Sequence, residues 1–408
     1  MYTSTNQFEP LIPAETGELE DIACELVKRS ATLAGQLPPA TLTGVRELLR
    51  VVNSYYSNLI EGHNTHPLDV ERAMRQDYSS NEDKRDLQLE SLIHIDLQSK
   101  IDEWVHDDPG LDVTAPEFLQ RIHHDLYEQM PERLRWAKGE NIDPEWVVAG
   151  ELRRRQVVVG KHLPPIADSL NGFLDRFHTF YNPKGMHGLK PTIALAAAHH
   201  RLMWIHPFLD GNGRVARLFT DAYFRRIGFS GYGLWNVSRG FARRSADYKA
   251  YLAAADFQRE GDLDGRGNLS NRTLTEFCRF FLEVCLDQAT FMSELLSLGT
   301  FLSRVEKYVS MRSNGLVVDE RGVTSRALHE RSGQVLIAAA IAGELPRGKV
   351  FEIIEMSERS GRNVLRSLIG EGLLIPVSTS HRSNVRLGFP AHVAGYWFPK
   401  LFPPTTAG

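Results

Sequence analysis

The chain has 408 residues, 42% of them hydrophobic and 24% charged, which suits a globular protein with two or three domains, each with its own core. A net charge of −4 excludes a nucleic-acid or acidic-membrane binder recruited by bulk charge, and no apolar run reaches the length of a membrane span. The opening MYTSTNQFEPLIP lacks the basic-then-apolar form of a secretory signal, and three cysteines make no disulfide framework, so the expectation is a cytoplasmic protein.

Apolar periodicity of the helical kind covers 19–34, 41–59, 86–105, 115–128, 166–181, 191–205, 214–227, 244–257 and 274–309, which predicts a mainly α fold. The run VRELLRVVNSYYS leads into SNLIEG at 57–62. Ser57 and Glu61 are four apart and share a helical face, and Gly62 suits a C-cap; by residue type alone this is an ordinary helix end. SSNEDKR (79–85) reads as a loop, DLQLESLIHIDLQSKIDEW as an amphipathic core helix, and DDPG (107–110) as a turn and a domain boundary. PERLRWAKGENIDPEW (131–146) is loop-like. GELRRRQVVVGKHLPP (150–165) then brackets a β-branched run with Gly and Pro, which predicts a strand or hairpin at about 153–165 with its RRR run solvated.

The helical stretches 191–205 and 214–227 enclose HPFLDGNGRVAR at 206–217. The first turn of a helix carries unpaired N–H groups and a positive dipole end, and so attracts anions. Gly211 and Gly213 keep no side chain between those groups and a phosphate, and Asn212 adds a neutral donor. Arg214 and Arg217 are three apart and can reach one ligand with forks suited to phosphate oxygens. Asp210 fits beside phosphates if Mg²⁺ lies between them, and His206 titrates near neutral pH and can act as a general base. The cluster reads as a polyphosphate–Mg²⁺ site with a proton acceptor. His199 and His200 lack zinc spacing and read as packing residues; Tyr248 and Tyr251 share a helical face; GDLDGRGN (261–268) lacks the closing Glu of a calcium loop; Cys278 and Cys285, seven apart, share a buried helical face.

In the tail, three short helices (332–342, 347–356, 358–369) and two strands (372–377, 384–389) joined by STSHRS resemble a winged helix-turn-helix. Its third helix presents Arg359, Arg362, Asn363 and Arg366, types suited to DNA. Eight Lys/Arg against five Asp/Glu over 343–400 is a mild footprint, so DNA binding and protein docking both stay open.

HPFLDGNGRVAR resembles, at every defining position, the HxFx(D/E)GNGRxxR signature of the Fic family, and SNLIEG resembles the family's inhibitory pattern (S/T)xxxE(G/N), placed before the core. The resemblance implies a Fic-type helical bundle with a short β-hairpin flap, followed by a small winged helix-turn-helix domain. It implies an N-terminal helical region at 1–110, a catalytic core at 111–295, and a helical linker with the winged helix at 296–408. It implies a protein adenylyltransferase that moves AMP from ATP to a Ser, Thr or Tyr hydroxyl of a target protein. In that reading His206 takes the hydroxyl proton and Asp210 holds Mg²⁺. Gly211, Asn212 and Gly213 cradle the phosphates, and Arg214 and Arg217 bind the β- and γ-phosphates. Ser57, Glu61 and Gly62 form an inhibitory turn whose Glu61 competes for Arg217, the flap at 153–165 pairs with the target, and Tyr248 lines the nucleoside pocket. The chain departs from the family with Lys249 after that tyrosine and Asp256 where an asparagine is frequent. The intact Gly-Asn-Gly argues against kinase-like relatives. DeAMPylation at the same site, with Glu61 positioning a water, and a nucleotide-sensing DNA-binding regulator are the alternatives. Self-modification and oligomer formation stay open as partnerships, and no membrane is expected.

Overall fold

The computed structural model describes residues 2–139, 142–318, 323–380 and 382–402. Prolines and short polar caps set many of the helix starts, as their missing or competing hydrogen bonds require. Helices α1 (Gly17–Ala34), α2 (Pro39–Ile60) and α3 (Pro67–Met74) come first. Helix α2 stops at a turn whose Gly62 has φ 90°, and His66 caps α3 by accepting the Leu68 N–H at 3.3 Å. Helix α4 (Glu82–Asp107) starts where Asn81 accepts the Lys84 N–H at 3.0 Å, and α5 (Pro116–Tyr127) again has Pro in its first turn. Strands β1 (Trp136–Gly139) and β2 (Ile142–Trp146) pair antiparallel, with Trp136 opposite Trp146. Helices α6 (Leu170–Tyr181), α7 (Lys190–Ile205), α8 (Asn212–Arg226), α9 (Val237–Arg243), α10 (Ser245–Ala254) and α11 (Asn271–Leu295) follow. Then come α12 (Leu298–Ser313), α13 (Ser332–Ala342), α14 (Arg347–Ile354), α15 (Glu358–Gly370), β3 (Leu374–Pro376), β4 (Val385–Leu387) and α16 (Ala391–Trp397).

The chain divides into two compact units. The first gathers residues up to 29, 53–232 and 236–289; the second gathers 30–52, 233–235 and the residues from 290 on. The division expected at 110 and 295 therefore differs from the observed one. Residues 53–110 fold with the segment that carries the 206–217 motif rather than apart from it, and α4 packs on α8. Residues 403–408 of the expected last domain lie outside the described residues.

The first unit is centred on α7 and α8. Helix α7 is buried almost all round, from Pro191 to Ile205, and its Ala194 and Ala196–Ala198 let neighbours approach closely. Helix α8 is buried from Arg214 to Phe224, so even its two arginines are interior side chains. The second unit carries α13, α14 and α15 followed by the antiparallel pair β3–β4, with a further bridge from Leu345 to Val385. Trp397 of α16 is fully buried and meets Phe301, Tyr308 and Phe389 edge-on. No helix of the described residues is long and apolar enough to cross a membrane.

Three local expectations are corrected. Residues 136–139 and 142–146, read as loop, are the antiparallel strands β1 and β2. Their cross-strand Trp136–Trp146 pair (ring centroids 5.2 Å) and Arg135 over Trp146 (4.5 Å) outweigh the breakers Gly139 and Pro144 that hid them. Residues 153–165, expected as a strand or hairpin, are a strap that closes in a single antiparallel bridge rather than a longer ladder. There Val159 and His162 exchange backbone hydrogen bonds of 3.0 Å around Gly160. The periodic run 274–309 is two helices, broken at Leu296–Ser297.

Candidate active site

Helix α7 ends on His206, which takes a left-handed conformation (φ 49°) that points the chain back toward α8. Gly211 (φ 78°) then caps α8, and a side chain there would strike the Tyr127 ring at 2.6 Å. Asn212 holds this loop shut. Its amide donates to the Phe208 carbonyl and its oxygen accepts the Phe208 N–H, both at 2.9 Å. The expected role of Asn212 as a phosphate donor thus narrows to its backbone N–H, because its side chain is spent on the loop. Asp210 accepts the Gly211 N–H at 2.7 Å and stays half exposed, 4.0 Å from Arg214.

Both arginines of the motif already hold carboxylates. Arg217 donates from Nε to the Ser57 hydroxyl (2.9 Å), and from Nη2 to the Ser57 carbonyl (3.0 Å) and Glu61 Oε1 (2.6 Å). The Glu61 carboxylate lies against the first turn of α8, where a methyl group at Gly213 would collide with its Oε1. Arg214 donates to Glu90 Oε1 and, at 2.8 Å, to the Tyr127 hydroxyl. Ser57, Glu61, Asp210, Gly213, Arg214 and Arg217, separated by up to 160 residues, are thus one cluster.

The electrostatics follow from burial and these pairs. Burial opposes ionisation of Glu61, but the Arg217 and Arg214 charges overcome it and hold its carboxyl below the usual range. Asp210 is likewise held low against burial, by Arg214 and the Gly211 N–H. Loss of hydration, with the Arg153 charge, lowers His206 to about 4, so its ring is neutral and able to accept a proton at neutral pH.

Arg153 was missed from sequence, where RRR reads as a solvated run. Arg154 is exposed beside Glu151, but Arg153 is buried. Its Nε donates to the His206 carbonyl at 2.8 Å, its Nη1 to the Arg155 carbonyl at 2.9 Å and its Nη2 to the Pro165 carbonyl, while its N–H binds the Pro207 carbonyl at 2.9 Å. Arg153 therefore staples the strap 153–165 to the histidine loop. Glu90 and Tyr127 were missed too; nothing near them in sequence marks them.

Tyr248, which the family resemblance placed at a nucleoside pocket, stands within electrostatic reach of Arg217 and Glu61. It is buried, stacked on Phe241 (4.1 Å, 10°), and its hydroxyl bonds His199 at 2.8 Å. His199 also meets the Thr220 hydroxyl at 2.8 Å, and His200 meets Asp256 at 3.2 Å, so both are interior residues. Among the described residues no three His, Cys, Asp or Glu gather as a metal cage. Asp210 alone suits Mg²⁺, which commonly takes one or two carboxylates with phosphate and water completing its shell.

A helix N-terminus, two arginines, a neutral histidine and a carboxylate thus stand together in this one loop. Residues 112–224 match the Fic/DOC family. The chain is 40% identical over 144 residues to the protein adenylyltransferase Fic of Drosophila mojavensis, covering 35% of this chain and 28% of that protein. To the protein adenylyltransferase Fic of Drosophila erecta it is 40% identical over 89 residues, covering 22% and 18%. The chain therefore spans under a third of the length of these curated relatives. A Fic domain containing signaling protein from Bacteroides thetaiotaomicron shares the fold, with TM-score 0.52, 18% identity, and 68% of this chain and 97% of that chain covered.

Proposed function

We propose that this protein is an adenylyltransferase that moves AMP from ATP to a Ser, Thr or Tyr hydroxyl of a target protein and is held off by Glu61. The observation that carries this reading is the 2.6 Å contact of Glu61 with Arg217, with the carboxylate seated on the anion-binding turn of α8. A carboxylate there takes the donors a nucleotide's terminal phosphate needs and repels its charge.

Once Glu61 withdraws, the N–H groups of the Gly211–Gly213 turn and the guanidinium of Arg217 can receive the phosphates. Arg214 needs a smaller shift from Glu90 to do the same. Asp210, with the phosphates, would hold a Mg²⁺ that neutralises their charge. The strap stapled by Arg153 offers the exposed backbone edge at Val158 for an extended target segment. The neutral ring of His206 accepts the target hydroxyl's proton as its oxygen bonds to the α-phosphorus and pyrophosphate leaves. Positioning and charge neutralisation do most of the work, as in other phosphoryl transfers.

The test is incubation of wild type and Glu61→Gly with ATP labelled at the α- or γ-phosphate and a cell lysate. The variant should label protein from the α-phosphate at least several-fold more than wild type, and not from the γ-phosphate. Equal labelling of the two chains removes the inhibitory reading; γ-labelling removes nucleotidyl transfer.

For the second unit we infer a winged helix-turn-helix that binds duplex DNA. Supporting it, Arg359, Arg362, Asn363 and Arg366 lie exposed along one face of α15, ahead of the β3–β4 pair.

A further inference from the structure

Glu90 is the most completely buried carboxylate near the two arginines, with 0% exposure on α4. A carboxylate so placed needs partners for both oxygens. Oε1 accepts from Arg214 Nη1, and Oε2 meets His63 Nδ1 at 2.7 Å. His63 lies two residues beyond Glu61, in a tight turn. The Glu61 and His63 N–H groups both bind the Asn58 carbonyl, at 3.0 and 2.9 Å, and the Gly62 N–H binds the Leu59 carbonyl at 3.0 Å.

We propose that Glu90 is a positioning residue that ties the first motif arginine to the inhibitory turn, a His63–Glu90–Arg214 bridge closing the turn a second time beside Glu61–Arg217. This rests on the autoinhibition reading above and adds a second, separable contact to it. The turn cannot swing Glu61 off Arg217 without drawing His63 from Glu90, which would leave one oxygen of a buried carboxylate without its partner. The bridge also occupies Arg214, so both phosphate-binding arginines are engaged while the turn is closed.

The groups facing His63 are Glu90 from α4, Arg214 from α8 and Glu61 on its own turn. The Glu90 hydrogen bond, against burial, raises the His63 pKa; the Glu90 and Glu61 charges add to this and Arg214 opposes it. A raised histidine pKa means that the bridge is complete below the ordinary value and is lost as pH rises through the raised one. Glu61, held low, sets the opposite edge: its contact is lost only as pH falls through its lowered pKa. The doubly closed turn thus occupies a window between the two.

The experiment reads equilibrium binding of ATP to the full chain by calorimetry, between pH 6 and 9, for wild type, Glu61→Gly, His63→Ala, His63→Gln and the Glu61→Gly/His63→Ala double variant. At the acidic end His63→Ala should bind ATP about 10–100-fold more tightly than wild type, the worth of one charge-assisted hydrogen bond. That gain should fade toward pH 9. His63→Gln, which keeps a donor without the charge, should lie nearer wild type and lose the pH dependence. In the Glu61→Gly background, where Arg217 is released, His63→Ala should change affinity less than 2-fold. Wild-type affinity and pH dependence in His63→Ala, with tighter binding in Glu61→Gly, overturns the bridge and leaves the inhibitory reading intact. No gain in Glu61→Gly overturns the inhibitory reading itself.

Discussion

His206 is held by its neighbours in the state a general base requires. Its left-handed backbone is pinned through its own carbonyl by Arg153, and lost hydration with the same guanidinium lowers its pKa to about 4. The sign is that of a depressed histidine: the ring stays neutral from neutral pH down through mild acid and charges only near pH 4. The expected outcome is a ring titration midpoint below 5 by NMR in the nucleotide-free protein; a midpoint near the ordinary 6.5 would contradict it. His206→Ala should lower transfer by about 10²–10⁴-fold while ATP still binds, and transfer near the wild-type rate would sink the general-base role. The identities of these residues were legible in the sequence, because the motif packs them into twelve positions. Arg153 and Glu90 were not. Their partners stand 53 and 124 residues away, and neither a run of arginines nor a lone glutamate in a helix signals burial.

At the scale of elements, α8 explains why the site is where it is. Its first turn is opened by two glycines that keep side chains away, and its buried face keeps Arg214 and Arg217 desolvated beside Glu90 and Glu61. Helix positions followed from periodicity to within a few residues at α1, α2, α7 and α8, since a 3.6-residue apolar repeat is a local signal. The β1–β2 pairing did not, because its stability comes from one tryptophan pair across strands rather than from alternation. Helix α15 belongs at this scale too. Its exposed Arg362 and Arg366 predict that duplex DNA is shifted in a gel by the full chain, and that replacing both with Ala weakens the shift about 10-fold or more at low salt, as loss of phosphate or base contacts would. No shift by the unaltered chain would leave protein docking as the use of that face.

Across the whole molecule, burial also sets a stability dependence on pH. Asp221 lies in the first unit, bonded by Asn53 Nδ2 at 2.8 Å and by the Tyr232 hydroxyl. Burial raises its pKa to about 6 in spite of those bonds. A carboxyl raised on folding favours the folded state below its unfolded pKa, and that contribution is lost as pH rises through about 6, on the order of 3 kcal/mol by neutral pH. Urea unfolding of Asp221→Asn should show a flatter pH dependence between pH 4 and 7 than wild type; an equal slope would clear Asp221 of the effect. The sequence by itself determined the mainly helical class, the loop that carries the 206–217 motif and the turn that carries Glu61, because each is written in a short run of neighbouring residues. Only the tertiary structure decided that Glu61 sits on Arg217, that Glu90 and His63 stand behind it, that Tyr248 is interior, and that residues 53–110 fold with the segment carrying the motif. Those are contacts between residues distant along the chain, fixed by which faces the helices bury against one another and not by any local pattern.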